Sequence, residues 1–317
     1  MESFNQTTVN SFILLGLSDI PSLQVLYFVL FLAIYTITLT GNLLLIIVVR
    51  SDNCTLLCTF FLLTSHSLTL AYPQPYCPRS LLIHYLRTKI LFLGCVAQMF
   101  VSLVLGAAER MLLAVMAYDR YMAICFPLNY SIIMSKMVCA SLAGACWVLS
   151  FISTSINASF TFRLPYCKSN QINHFFCEIP PLLRLSCKDT LLNVVVIYVT
   201  GGMIALCSFL LTVLSYGHII LTILKIRSKH GRYKTFSTCA SHLTVVCLFY
   251  GTIMFMYLRP RSSYSPDRDR AIAILYTVVT PMLNPIIYSI KNKENPIICN
   301  IKNKEAKGTL RNMKFKK

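Results

Sequence analysis

The sequence predicts an all-α membrane protein, a bundle of seven spanning helices, and three observations carry that prediction. Hydrophobic residues make up 56% of the 317, charged residues only 13%, and mean hydropathy is +0.64. That is too apolar for a soluble domain with a polar surface. Apolar runs of spanning length recur along the chain, and a hydrocarbon layer of ~30 Å needs about 20 such residues. The basic residues lie between those runs and in the tail, 29 Lys and Arg against 11 acids for a net charge of +18. On a soluble chain such a charge would suggest nucleic acid. Here its placement is the inner-loop bias of membrane proteins, so no nucleic-acid partner is expected.

Residues 1–24 read as an outward-facing amino terminus. They contain no Lys or Arg, and Asn5-Gln6-Thr7 is a glycosylation sequon. Met1 to Asp19 has no basic start and is broken by polar residues, so no cleavable signal is read and the first span is expected to target the chain. That span runs from about Val25 to Val49 and ends at Arg50, with Asn42 read as a helix–helix hydrogen bond beside the small Gly41. The second candidate, Cys54 to Tyr72, is marginal. It carries Thr59, Thr64, Ser65, His66, Ser67 and Thr69, and Pro73, Pro75 and Pro78 then prevent regular helix.

A long apolar run opens near Leu91 and closes on Asp119 and Arg120, where charge is affordable at the boundary. Within it, Glu109 and Arg110 are consecutive and so point about 100° apart on a helix. Arg110 at that depth demands a partner, Glu109 or a polar residue of another helix. The fourth span is Val138 to Phe160, with the only Trp, Trp147. A loop with Cys167, Cys177 and Cys187 follows. With Cys95 these make four outward-facing cysteines in an oxidising compartment, and four allow three pairings that the sequence alone does not choose between. His174 stands near Cys177, but a disulfide removes the thiolate a metal needs, so no metal is expected. Asn157-Ala158-Ser159 is a sequon in form only, too near the membrane for efficient use.

The fifth span is Leu191 to about Leu224, with Lys225, Arg227, Lys229, Arg232 and Lys234 as an inner anchor. The sixth continues through Phe249-Tyr250-Gly251 to Leu258. A charged outer loop, Arg259 to Arg270, leads to the seventh from Ala271, in which Pro281 and Pro285 free backbone carbonyls and make a hinge. The helical domain is thus expected over 25–290 and a basic cytoplasmic tail over 291–317. In that tail Asn295 to Glu305 repeats Asn284 to Glu294 with two differences, too short for a solenoid and read as a tandem duplication. Cys299 within the repeat is a palmitoylation candidate on a membrane-surface segment. No convergent acid, base or nucleophile set is present, so neither an enzyme nor a cofactor is expected, and a transporter's internal repeat of spans is absent.

The string Met116-Ala-Tyr-Asp-Arg-Tyr-Met-Ala-Ile-Cys125, followed by Phe126-Pro-Leu-Asn-Tyr130, resembles the third-helix signature of olfactory receptors, a branch of the rhodopsin-like, G-protein-coupled family. Ser11 to Asp19, Gly94 to Phe100, Asn173 to Pro181, Thr235 to Leu243 and Pro281 to Tyr288 resemble the same family. The likeness covers nearly the whole chain apart from the second span and the duplicated tail. It implies that Asp119 holds Arg120 at rest, beside Tyr121, until Arg120 swings to meet a heterotrimeric G protein of the olfactory stimulatory type. Tyr216, Asn284, Pro285 and Tyr288 would complete the switch, with Tyr216 and Tyr288 turning inward near Arg120. It implies the pairings Cys95 to Cys177 and Cys167 to Cys187, and a plasma-membrane chain in contact with lipid. Its ligand would be a small hydrophobic odorant, lined by Ser102, Leu103, Gly106, Ala107, Thr200, Ile204, Tyr250, Ile253, Tyr257 and Thr277. Such a lining has almost no charge and suits a neutral molecule held by dispersion and one or two hydroxyls.

The departure from the family lies in the second helix, which lacks both the usual Leu-His-Thr-Pro-Met-Tyr-Phe and the intramembrane Asp. Codons for Leu-His-Thr-Pro-Met-Tyr, CTG CAC ACT CCT ATG TAC T, read from their second base give Cys-Thr-Leu-Leu-Cys-Thr, which is Cys54 to Thr59 as they stand. We hypothesise that Cys54 to about Ser80 is an out-of-frame second helix, with the frame restored before Leu81. A nucleotide sequence that gives no Leu-His-Thr-Pro-Met-Tyr on a one-base shift would sink it. The alternative to a working receptor is therefore a pseudogene-like product that fails to fold or reach the surface.

Overall fold

A computed structural model describes residues 10–15, parts of 22–41, 88–167, 169–226, 228–257 and 274. Asn5, Asn42, the second span, Thr277, the seventh-span Asn284, Pro285 and Tyr288, and the tail with Cys299 lie outside the described residues.

The third-span helix, Phe92–Cys125, is the hub. At about 1.5 Å per residue its 34 residues exceed the ~30 Å hydrocarbon layer, so the end bearing Asp119 and Arg120 reaches the membrane boundary. It packs along the fourth-span helix Lys136–Phe162 and the fifth-span helix Leu191–Lys225, and touches the sixth-span helix Lys229–Tyr257. Among the described residues the third, fourth and fifth helices are long and apolar enough to cross a membrane; the fourth and fifth end within two residues of the boundaries the sequence predicts, while the third runs on past Arg120 to Cys125. The sixth differs. Its apolar part is His242–Thr252, and the helix extends back through the basic Lys229–Lys234 segment that the sequence reading assigns to an inner anchor.

Local chemistry accounts for several of these features. Ser135 caps the fourth helix by accepting a hydrogen bond from the Val138 amide at 3.4 Å. Inside the spans, Thr36, Thr38, Ser150, Thr161, Thr212 and Thr252 each donate to the carbonyl four residues back, so a hydroxyl in an apolar layer is satisfied within its own helix. The fifth helix widens to a π-helical turn at Tyr198–Gly202, where Gly201-Gly202 offers little resistance to unwinding. Leu206, Leu210, Leu214 and Leu221 project from it as the surface that lipid would cover.

At the outer end a three-stranded sheet forms a cap: β1 Ser11–Leu14, β2 Thr88–Leu91 and β3 Gln171–Ile172. β1 is central, antiparallel to β2 with Ser11 opposite Leu91, and parallel to β3 with Ile13 opposite Gln171. Phe12 and Leu14 alternate inward into a cluster with Cys95, Met99, Cys177, Ile179 and Leu182. A second cluster in the middle of the bundle joins Leu112, Leu113 and Met116 to Ala143, Val245 and Phe249, and a third at the inner end joins Ala117, Tyr216, Ile219, Ile223 and Cys239.

Candidate functional site

At the inner end, the chain turns after Cys125 and the short helical turn Tyr130–Ile133 brings Tyr130 back onto the third helix. The Tyr130 hydroxyl donates to Asp119 Oδ1 at 2.7 Å, and Arg120 Nε lies 3.8 Å from Oδ2. The carboxylate therefore accepts the Tyr130 hydrogen bond and faces the Arg120 cation, with both charged side chains mostly buried. Tyr121 packs edge-on to Phe126 at 5.6 Å and tilts against His218 of the fifth helix at 5.4 Å.

Tyr216 is buried, within electrostatic reach of the Arg120 guanidinium. Its hydroxyl is joined to His242 Nδ1 at 2.5 Å, tying the fifth helix to the sixth in the buried interior. Tyr130 and His242 were both absent from the residues the sequence singles out as the switch. Each stands inside a family-like string, and that position was the available signal.

At the outer end the structure pairs Cys95 with Cys177 and Cys167 with Cys187, at Cα separations of 5.5 and 5.8 Å. Gln98, buried one turn below Cys95, accepts a hydrogen bond from the Cys177 amide at 3.1 Å and so fixes the loop over the bundle. His174 is buried between Phe175 and Phe176, accepts from the Phe176 amide through Nδ1 at 3.4 Å, and sets Nε2 3.7 Å from Glu178. Among the described residues no group of three His, Cys, Asp or Glu could hold a metal. Burial pushes the Tyr166 phenol well above its ordinary range, and it donates to the Thr161 carbonyl at 2.7 Å.

The ligand-lining candidates are brought together only in part. Ser102 and Ala107 are buried in the third helix, and Ser102 donates to the Gln98 carbonyl. Gly106 borders open space, with nothing within 4 Å of where a Cβ would stand, while Leu103 and Ile204 flank the outer and middle clusters. Thr200 sits in the π turn and its hydroxyl lies 3.1 Å from Asn157 Oδ1 and 2.8 Å from the Val196 carbonyl. Asn157, a sequon residue in form, is thus enclosed between the fourth and fifth helices. Tyr250 is buried, stacks obliquely on Phe209 at 5.5 Å, and donates to the Arg110 backbone carbonyl at 3.3 Å. Ile253 and Tyr257 fall on the sixth helix, but their side chains lie outside the described ones.

The family model for olfactory receptors matches residues 31–317. Human olfactory receptor 8H1 is 47% identical over 291 residues, covering 92% of this chain and 94% of that protein. The chain belongs to the olfactory receptor family. Human olfactory receptor 5B12 is 46% identical over 308 residues, 96% of this chain and 98% of that protein. Among solved structures, squid rhodopsin superposes on this olfactory receptor with a TM-score of 0.63 over 89% of this chain and 80% of its own, at 15% identity. That likeness speaks to the fold, a seven-transmembrane helix bundle. As a member of this family, the olfactory receptor described here is a multi-pass membrane protein and a signalling receptor, not an enzyme.

Proposed function

We propose that this chain is an odorant receptor that binds a small, largely apolar volatile molecule between its helices. It then activates a heterotrimeric G protein of the stimulatory olfactory type, raising cyclic AMP. In this reading the chain works in the plasma membrane with its amino terminus outside and Asn5 glycosylated. The observation that carries the reading is the Asp119 carboxylate shared between Tyr130 and Arg120 at the inner end of the hub helix. A charged hydrogen bond with competing partners is an element with two arrangements, and a ligand that favours one of them shifts the population. Tyr216 nearby supports the same role, because it offers Arg120 an alternative neighbour once the carboxylate is released.

The test is a cyclic-AMP assay on cells displaying the tagged full chain, challenged with a panel of volatile compounds. An odorant response that vanishes in Arg120→Ala at equal surface display supports the proposal; a response indifferent to Arg120 would sink it. A second reading, a silent product, is favoured by one observation, the polar and proline-broken stretch Cys54 to Ser80. Replacing that stretch by an in-frame second helix separates the two: surface delivery of the repaired chain alone would identify the silent product.

A further inference from the structure

Arg110 lies near the middle of Phe92–Cys125, at hydrocarbon depth, where a guanidinium is costly without an anion. The chain has 11 acids, and in the sequence only Glu109 and Asp119 fall within a predicted span; the others lie in tails and connecting segments. Asp119 is nine residues further along, engaged with Tyr130 and Arg120. Glu109 is the immediate neighbour, turned about 100° away and buried. Arg110 forms no ion pair with a described acid, and its buried Nε has no hydrogen-bond partner. Among the described residues its neighbours from other helices are hydroxyls: the Tyr250 hydroxyl is bonded to the Arg110 carbonyl, and the Thr212 and Ser208 hydroxyls lie beside Tyr250.

Two of the ligand-lining candidates share a helix face with this cation. Ser102, Gly106 and Arg110 follow one another at four-residue steps, so they lie along one face of the helix. Gly106, the middle one, has open space where a side chain would be. Resting on the odorant-receptor reading above, we infer that Arg110 is the anion-binding residue of the ligand site and that the ligand class is a short aliphatic monocarboxylate. Its carboxylate meets the guanidinium fork in a two-bond pairing, and its alkyl chain runs past Gly106 toward Ser102. The sequence-based lining, which left Arg110 out, describes the tail of such a ligand but not its head.

The test uses the full chain in lipid nanodiscs, its melting temperature followed while hexanoate, 1-hexanol or sodium chloride alone is titrated. Hexanoate is expected to raise the melting temperature of the unaltered chain by several degrees, with 1-hexanol and chloride giving little. Arg110→Met should bind hexanoate at least tenfold more weakly while melting no lower than the parent, since an uncompensated charge has been removed. Arg110→Lys should keep part of the hexanoate effect. No hexanoate effect on the unaltered chain, an undiminished effect in Arg110→Met, or an equal effect of chloride alone overturns the inference. A cyclic-AMP assay separates it from the receptor reading. Hexanoate binding without any signalling leaves the inference standing and that reading failed; a response to 1-hexanol unchanged by Arg110→Met does the reverse.

Discussion

Tyr130 donates a 2.7 Å hydrogen bond to the carboxylate of Asp119, and Arg120 approaches the other oxygen of the same group at 3.8 Å. In the proposed switch, Tyr130 is thus a clamp on the carboxylate that faces Arg120. Tyr130→Phe removes the clamp and keeps the ring, at a stability cost of about 1 kcal/mol. Basal cyclic AMP is expected to rise a few-fold at equal surface display, and an unchanged or lower baseline would refute the clamp.

The two disulfides close loops of unequal size, with sequence separations of 82 and 20. Loop-closure entropy gives about 4.5 kcal/mol for the larger and about 3.3 kcal/mol for the smaller. Cys95→Ser also strands Cys177 next to Gln98, so it should reduce surface display more than Cys167→Ser does. Flow cytometry of tagged variants checks the order; the reverse order would contradict it.

Phe12 is fully buried, stacked on Phe92 at 6.0 Å and edge-on to Tyr166 at 5.5 Å. Phe12→Ala leaves a cavity under the outer cap and is expected to cost about 3–5 kcal/mol, the range for a large core truncation. Ile13, partly buried on the other side of the strand, provides the control. A melting temperature lowered equally by Phe12→Ala and Ile13→Ala would show that the strand is not docked as described.

Thr200 and Asn157 share the polar contact between the fourth and fifth helices at the π turn. Thr200→Val and Asn157→Leu should each cost about 1 kcal/mol, and the double variant less than the two together, because either change already removes the contact. Additive losses in melting temperature would mean that the pair does not interact.

The parts of the fold legible in the sequence were those set by local composition. Spans three to five appear at their predicted places because an apolar run of sufficient length has few alternatives in a membrane. The strand Ser11–Leu14 was not foreseen: Ser-Phe-Ile-Leu shows no polar alternation, and only its partners at Thr88–Leu91 and Gln171–Ile172 make it a strand. For the site, the string around Asp119 and Arg120 was readable. The bond between Tyr216 and His242 was not, since it depends on how two helices are rotated toward one another. Arg110 was flagged as costly, yet its surroundings became visible only once Tyr250 was placed against its backbone.

The central position of β1 in the outer sheet sets an order of assembly. A ribosome delivers β1 first, the edge strand β2 only at Thr88–Leu91, and β3 only after the third- and fourth-span helices. Until then the backbone amides and carbonyls of Ser11–Leu14 are unsatisfied by the chain, and Phe12 and Leu14 have no cluster to enter. The segment made early is the one fastened late, so errors of membrane insertion in the chain made between Leu14 and Gln171 would surface as an undocked strand Ser11–Leu14.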